Sequence, residues 1–232
     1  MLEHKTILLT GASSGIGAAT ATALVDAGAT VYGLCRHPEK LPAEVLSLRC
    51  DLTEAVQIEE AFASLSHLDI LINNAGRAYL SPITSGDPTH WEEMWKLNVH
   101  APALCIQKAL ALFPESGGHI VNVSSLSGHR VPPSGGFYAP TKFALRALTE
   151  STRAELKAVG NATRISSISP GFVDTPLLDT YFQGRESQLA QTKATLKMLT
   201  PQDIAASILH LLQSPSGVEI NDLLLRSADQ SI

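Results

Sequence analysis

The sequence predicts an α/β fold: a doubly wound, parallel sheet of about seven strands with helices on both faces, in a single domain spanning 1–232. Two observations predict it. Short β-rich runs alternate with amphipathic helical stretches along the chain, an order that a parallel sheet covered by helices satisfies. With 232 residues, 44% of them hydrophobic and 17% charged, the chain is long enough for one substantial core, and no composition shift divides it.

The strand runs are TILLT (6–10), VYGLC (31–35), VLSLRC (45–50), DILINN (69–74), HIVNVSS (119–125), RISSIS (164–169) and the closing VEINDLLL. Helical patterns fall at about 16–27, 54–65, 88–112, 139–159 and 201–213. The last opens on Thr200-Pro201-Gln202-Asp203 as cap and first turn. Pro38 and Pro42 cut the helix between the second and third strands to a turn or so. The least regular stretch, 171–200, reads as a mobile flap, with a substrate flap at about 172–199. In such a sheet ligands sit beyond the carboxyl ends of the strands, so functional residues are expected to follow strands.

Composition excludes several classes. A formal charge of -5 and a pI near 5.9 argue against nucleic acid, whose phosphates need Lys and Arg. Cys35, Cys50 and Cys105 form no C-x-x-C pair, which fits a reducing, cytoplasmic setting. No apolar run approaches a membrane span, and no signal region is read at the start. The eight histidines are scattered, so no metal is expected.

TGASSGIG (10–17) carries two competing patterns. Gly11 to Gly15 spells G-x-S-x-G, the nucleophile elbow of a hydrolase, with Ser13 as nucleophile. An elbow has no role for Gly17 and normally follows a strand deep in the chain, whereas here the first strand precedes it. A dinucleotide cradle uses all three glycines: Gly11 for the turn, Gly15 for close approach to phosphate, Gly17 for helix packing. The helix N-terminus then offers N–H groups and partial positive charge.

TGASSGIG, NNAG at 73–76, Asn98, Ser125 and Tyr138-Ala-Pro-Thr-Lys142 occur in an order that resembles the short-chain dehydrogenase/reductase family along essentially the whole chain. The resemblance implies a Rossmann-like NAD(P)-binding domain that moves a hydride between nicotinamide and a carbonyl or secondary alcohol. It implies a catalytic set of Asn98, Ser125, Tyr138 and Lys142. Tyr138 would exchange a proton with the substrate oxygen, Ser125 would hydrogen-bond that oxygen, and Asn98 would hold a water in a relay through Lys142. Tyr138 and Lys142, four apart, share one helix face, and an adjacent ammonium is expected to favour phenolate.

The cofactor contacts implied are Gly11, Ser13, Ser14, Gly15, Ile16 and Gly17; Arg36; Asp51 and Leu52; Asn74, Ala75 and Gly76; Tyr138 and Lys142; and Pro170, Gly171, Val173 and Thr175. Cys35 stands where NAD-selective members carry Asp, and Arg36 follows where NADP-selective members carry Arg, so NADP(H) is favoured over NAD(H). Ser14 departs from relatives that place a second basic residue in the glycine turn.

SLSGHRVPP, FYAPTKFALRALTESTRAEL and LLLRSADQ look most like the farnesol dehydrogenase and 17-beta-hydroxysteroid/3-ketosteroid reductase branch, close to bacterial NADP-dependent 3-hydroxy-acid dehydrogenases. The substrate walls are expected from 77–82, 126–135 and the flap, whose Phe172, Leu177, Leu178, Tyr181, Phe182, Met198 and Leu199 favour an apolar ketone or alcohol; Arg130 and Arg185 are candidate anchors. The resemblance also implies a homodimer or homotetramer paired through the Tyr138 helix and the helix before it; Ala144, Ala147, Leu148, Ser151 and Ala154 could make a small-residue face for that pairing, or could cover the sheet. The alternative from another class is a catalytically silent dinucleotide-binding sensor.

Overall fold

The computed structural model describes residues 2–133 and 135–230; Ser134, in the expected substrate wall, lies outside the described residues, as do Met1, Ser231 and Ile232. Seven strands form one parallel sheet: β1 (Thr6–Thr10), β2 (Thr30–Cys35), β3 (Leu46–Arg49), β4 (Ile70–Asn73), β5 (His119–Val123), β6 (Arg164–Pro170) and β7 (Asp222–Leu225). Their order is β3-β2-β1-β4-β5-β6-β7, so the chain reverses direction across the sheet between β1 and β4. That switch opens a crevice at the carboxyl ends of the strands.

Strand alternation sorts the core into two layers. Ile7 and Leu9 point into a cluster with Leu24 of helix α1 (Gly15–Asp26) and Ile204 and Ile208 of helix α8 (Pro201–Leu212). Leu8, between them, joins the opposite cluster with Phe62 of α2 (Ala55–Ala63) and Cys105 and Ile106 of α4 (Ala101–Leu110). The long helix α5 (Tyr138–Ala158) turns Leu145, Thr149, Thr152 and Leu156 inward. Thr200 and Asp203 cap α8 reciprocally: Thr200 Oγ1 accepts from the Asp203 N–H at 3.2 Å, and Asp203 Oδ2 accepts from the Thr200 N–H at 2.7 Å.

The structure differs from the sequence reading in two places. The single helix expected over 88–112 is divided into α3 (Pro88–Trp95), a π turn (Lys96–His100) and α4. Pro102, which has no N–H to continue an unbroken ladder, lies just past the π turn. The stretch 171–200 is not wholly irregular: it holds α6 (Leu177–Tyr181) and α7 (Glu186–Thr195). No residue of α7 is buried, so it carries no apolar stripe for a sequence pattern to show. The brief connection after β2 is a 3-10 turn, Pro38–Lys40, as its prolines predict.

Candidate active site

A cleft of about 590 Å³ lies over the carboxyl ends of the strands. The turn from β1 into α1 forms its floor. Gly11 and Gly15 take φ of 68° and 52°, the left-handed region that glycine enters without strain. A Cβ on Gly17 would stand 2.1 Å from the Gly11 carbonyl oxygen, so only glycine fits where α1 meets β1. Asn74 clamps this turn from β4: its Nδ2 donates to the Thr10 and Gly11 carbonyls at 2.9 and 3.2 Å. Thr10 Oγ1 accepts from the N–H groups of Asn74 and Ala75, both at 3.0 Å. Ser14 caps α1 without a side-chain hydrogen bond, and Ser13 reaches the Cys35 thiol. These residues form a cradle of glycine backbone and a helix N-terminus, which suits phosphate.

The rim brings in the other expected contacts. Ile16, Arg36, Asp51, Leu52, Gly76, Pro170, Gly171, Val173 and Thr175 all line the same cleft, with Gly11, Ser13, Ser14, Gly15, Gly17, Asn74 and Ala75. Thr175 lies against Gly15, whose added Cβ would meet it at 3.2 Å. Burial works against the Asp51 carboxylate, but Thr53 donates to it through N–H and hydroxyl at 2.9 and 2.8 Å. With the Arg36 and Arg77 charges, that holds it below the usual carboxylate range. Sequence reasoning missed His37, Lys40 and Gln230, which also line the cleft, as does Arg77 of the expected substrate wall. The basic pair beside Arg36 was visible as a local run; Gln230 arrives from the far end of the chain, where no local signal announces it.

Ser125, Tyr138 and Lys142 meet in this cleft. Ser125 caps the 3-10 turn Leu126–Gly128, its Oγ accepting from the Ser127 N–H at 3.1 Å. Burial pushes the Tyr138 phenol well above its ordinary range; a hydrogen bond with Ser125 pulls it back, and Tyr181 pushes it further up. Lys142 donates from Nζ to the Val123 carbonyl at 3.0 Å, and burial lowers its ammonium to about 8. The expected net lowering of the phenol by Lys142 is therefore not what this geometry gives. Helical spacing does place the pair together, with Lys142 Nζ 5.8 Å from the Tyr138 ring centre, but both groups are buried and desolvation dominates each.

Asn98 stands apart from the cleft lining and is fully buried. Its carboxamide is engaged at both atoms: Oδ1 accepts from the Arg77 N–H at 2.8 Å, and Nδ2 donates to the Arg77 carbonyl at 2.8 Å and to Thr141 Oγ1 at 3.1 Å. Thr141 in turn donates to the Tyr138 carbonyl at 2.7 Å. Asn98 thus braces the first turn of α5. Its main-chain carbonyl sits in the π turn, where the Ala101 N–H goes five residues back to Lys96. Pro102, four residues on, has no N–H to give it.

Of the expected substrate walls, Ala78, Leu126, Pro132, Arg130, Phe172, Leu177, Leu178 and Tyr181 line the cleft. Phe182, Met198, Leu199 and Arg185 lie outside that lining; Leu199 packs on the core and bridges to Val173. Among the described residues no group of three or more His, Cys, Asp or Glu could hold a metal, and no helix is long and apolar enough to cross a membrane.

The family profile described as short chain dehydrogenase matches residues 5–186. The chain belongs to that family. A curated short-chain relative, dehydrogenase/reductase SDR family member 11 of Bos taurus, is 38% identical, with 98% of both chains covered. Among solved structures, a serine dehydrogenase in closed form with NADP+ superposes with a TM-score of 0.90 at 27% identity, covering 98% of this chain and 96% of the other. An alcohol dehydrogenase from Thermococcus sibiricus with 5-hydroxy-NADP gives 0.84 at 26%, covering 99% of each. The short-chain oxidoreductase fold and its single parallel sheet are shared with both.

Proposed function

We propose that this short-chain dehydrogenase is an NADP(H)-dependent carbonyl reductase or alcohol dehydrogenase acting on an apolar ketone or secondary alcohol. The observation that carries it is the convergence of Ser125, Tyr138 and Lys142 on the cleft that also holds the glycine cradle. The cradle fits a dinucleotide, because Gly11 and Gly15 let the turn take its left-handed conformation and Gly17 lets α1 pack close on β1, which leaves the backbone N–H groups at the start of α1 facing the cleft for pyrophosphate. Arg36, with Lys40 beside it, would take a 2′-phosphate; Asp51 and Leu52 would meet the adenine, Asn74 to Gly76 the ribose, and Pro170, Gly171, Val173 and Thr175 the nicotinamide end. A nicotinamide dinucleotide, when bound, supplies or accepts the hydride.

The residues of this chain do the rest. Tyr138, its phenol kept protonated by burial, donates its proton to the carbonyl oxygen as charge develops there. Ser125 Oγ–H hydrogen-bonds the same oxygen. Lys142, lowered to about 8, carries an exchangeable proton near neutral pH, and a water held by Asn98 would continue the relay that restores the Tyr138 proton through Lys142. Reduction needs the phenol protonated and oxidation needs it ionised. Alcohol oxidation is therefore expected to rise steadily into alkaline pH, while ketone reduction holds through neutrality.

The test is loss of reduced-nicotinamide absorbance with NADPH and with NADH, against aliphatic, aromatic, terpenoid and steroidal ketones, with serine and secondary alcohols in the reverse direction. NADPH oxidation that depends on a ketone and falls about 100-fold or more in Tyr138→Phe is the expected result. Cofactor binding without turnover of any substrate would overturn it.

A further inference from the structure

Behind the Ser125 turn lies a polar cluster that the chemistry above does not use. Gly128 ends that turn and lies flat on α5: a Cβ there would stand 2.9 Å from the Lys142 carbonyl oxygen and 3.2 Å from Arg146 Cδ. Arg146, four residues after Lys142 and eight after Tyr138, shares their helix face and donates from Nη1 to the Gly128 carbonyl at 2.9 Å. Its Nε is 3.6 Å from Asp222 Oδ2. His129, the residue after the turn, places Nε2 3.1 Å from the same Asp222 oxygen and 3.0 Å from Ser169 Oγ. Ser169 Oγ donates to Asp222 Oδ1 at 3.1 Å.

The proton positions follow from the acceptors. An ionised carboxylate only accepts, so the His129 proton sits on Nε2 and points at Asp222. Ser, His and Asp side by side suggest a hydrolytic triad, but the geometry refuses one. Ser169 is fully buried, its proton is committed to Asp222, and serine and carboxylate share one ring nitrogen rather than opposite ones.

We propose that His129, Arg146 and Asp222 are a bracket that holds the Ser125 turn at a fixed separation from the helix bearing Tyr138 and Lys142. They act as positioning residues for the proposed reaction, on which this inference rests. Asp222 opens β7 at the sheet edge, so one carboxylate ties the edge strand to the turn through His129 and to α5 through Arg146. Ser125 and Tyr138 come from different elements yet must reach a single oxygen, and misplacement by about 1 Å can cost about 100-fold in rate. The three side chains are between a fifth and two fifths exposed, so solvent screens the bracket only in part.

The experiment compares the full chain with Asp222→Asn, His129→Leu and His129→Gln, the last retaining an N–H donor. Three readouts are taken: amide hydrogen exchange over 125–130, NADPH affinity, and kcat on whichever ketone the panel selects. Expected are faster exchange confined to 125–130 in Asp222→Asn, a kcat lowered about 10- to 100-fold with NADPH affinity kept, and partial rescue in His129→Gln relative to His129→Leu. Unchanged exchange over 125–130 overturns the bracket, as does a kcat loss that tracks lost cofactor affinity or a general fall in melting temperature. Should the wild type turn over nothing, the proposed reaction fails, and the exchange readout alone decides the bracket.

Discussion

Arg36 follows Cys35, the last residue of β2, and lines the cleft with His37 and Lys40. A carboxylate at position 35 would accept from a ribose hydroxyl and repel a phosphate; a buried thiol, whose pKa burial raises, does neither. Discrimination then falls to the guanidinium. Losing a charge-assisted contact with a phosphate costs about 1.5–3 kcal/mol, roughly 10- to 100-fold in affinity. Arg36→Ala is expected to weaken NADPH by that factor and to leave NADH nearly unchanged, as read by fluorescence titration; equal losses for both would remove Arg36 from the selectivity. At this scale the sequence showed which residues meet in one cleft, because spacing on a helix or after a strand is local. It did not show which way the Tyr138 phenol is pulled. That depends on burial beneath Tyr181 and the Ser125 turn, which only the folded chain assembles.

Between β4 and β5 the hydrophobic pattern predicts one helix, yet the sequence also carries the proline that breaks it. Pro102 is visible in WKLNVHAP, but the periodicity on either side of it is continuous, so a hydrophobic-pattern reading runs through. The π turn displaces the ladder by one residue, and such bulges recur at functional sites. Here it leaves the Asn98 carbonyl without its usual helical donor while the Asn98 carboxamide is spent on Arg77 and Thr141. A water in the proposed relay would take that carbonyl. Pro102→Ala restores an N–H four residues on. The expected outcome is a lower kcat, by about tenfold, with NADPH affinity and melting temperature held or raised; an unchanged kcat would detach Pro102 from the relay. Helix α7 was illegible for the opposite reason, since it buries nothing and its formation leaves no pattern to detect.

For the whole molecule, the parallel sheet and its two helix-covered faces were legible because runs such as TILLT and HIVNV alternate with helices, whereas the strand order, set by long-range pairing, was not. Assembly is a property of surface left over once that core is made. Helix α5 turns Leu145, Thr149, Thr152, Arg153 and Leu156 inward, and of the expected pairing face Ala144 and Leu148 are half-buried, Leu148 against the core. Ala147, Ser151 and Ala154 stay exposed, and Phe143, one turn before Ala147, leaves 39% of its surface in solvent. These four positions fall on one stripe at helical spacing. Small side chains let a second helix approach closely, and an isologous contact would set each Phe143 against its partner's small-residue face. A stable pair needs roughly 800 Å² per partner, so the stripe would have to be joined by neighbouring surface. We expect a dimer or tetramer by sedimentation at micromolar concentration, and dissociation in Ala147→Arg/Ser151→Arg with the far-ultraviolet circular dichroism unchanged. Because the same helix carries Tyr138 and Lys142 on its other side, the dissociated variant also asks whether pairing stiffens the site: reduced kcat with intact NADPH affinity would tie assembly to catalysis, whereas a wild-type monomer would remove the paired arrangement altogether.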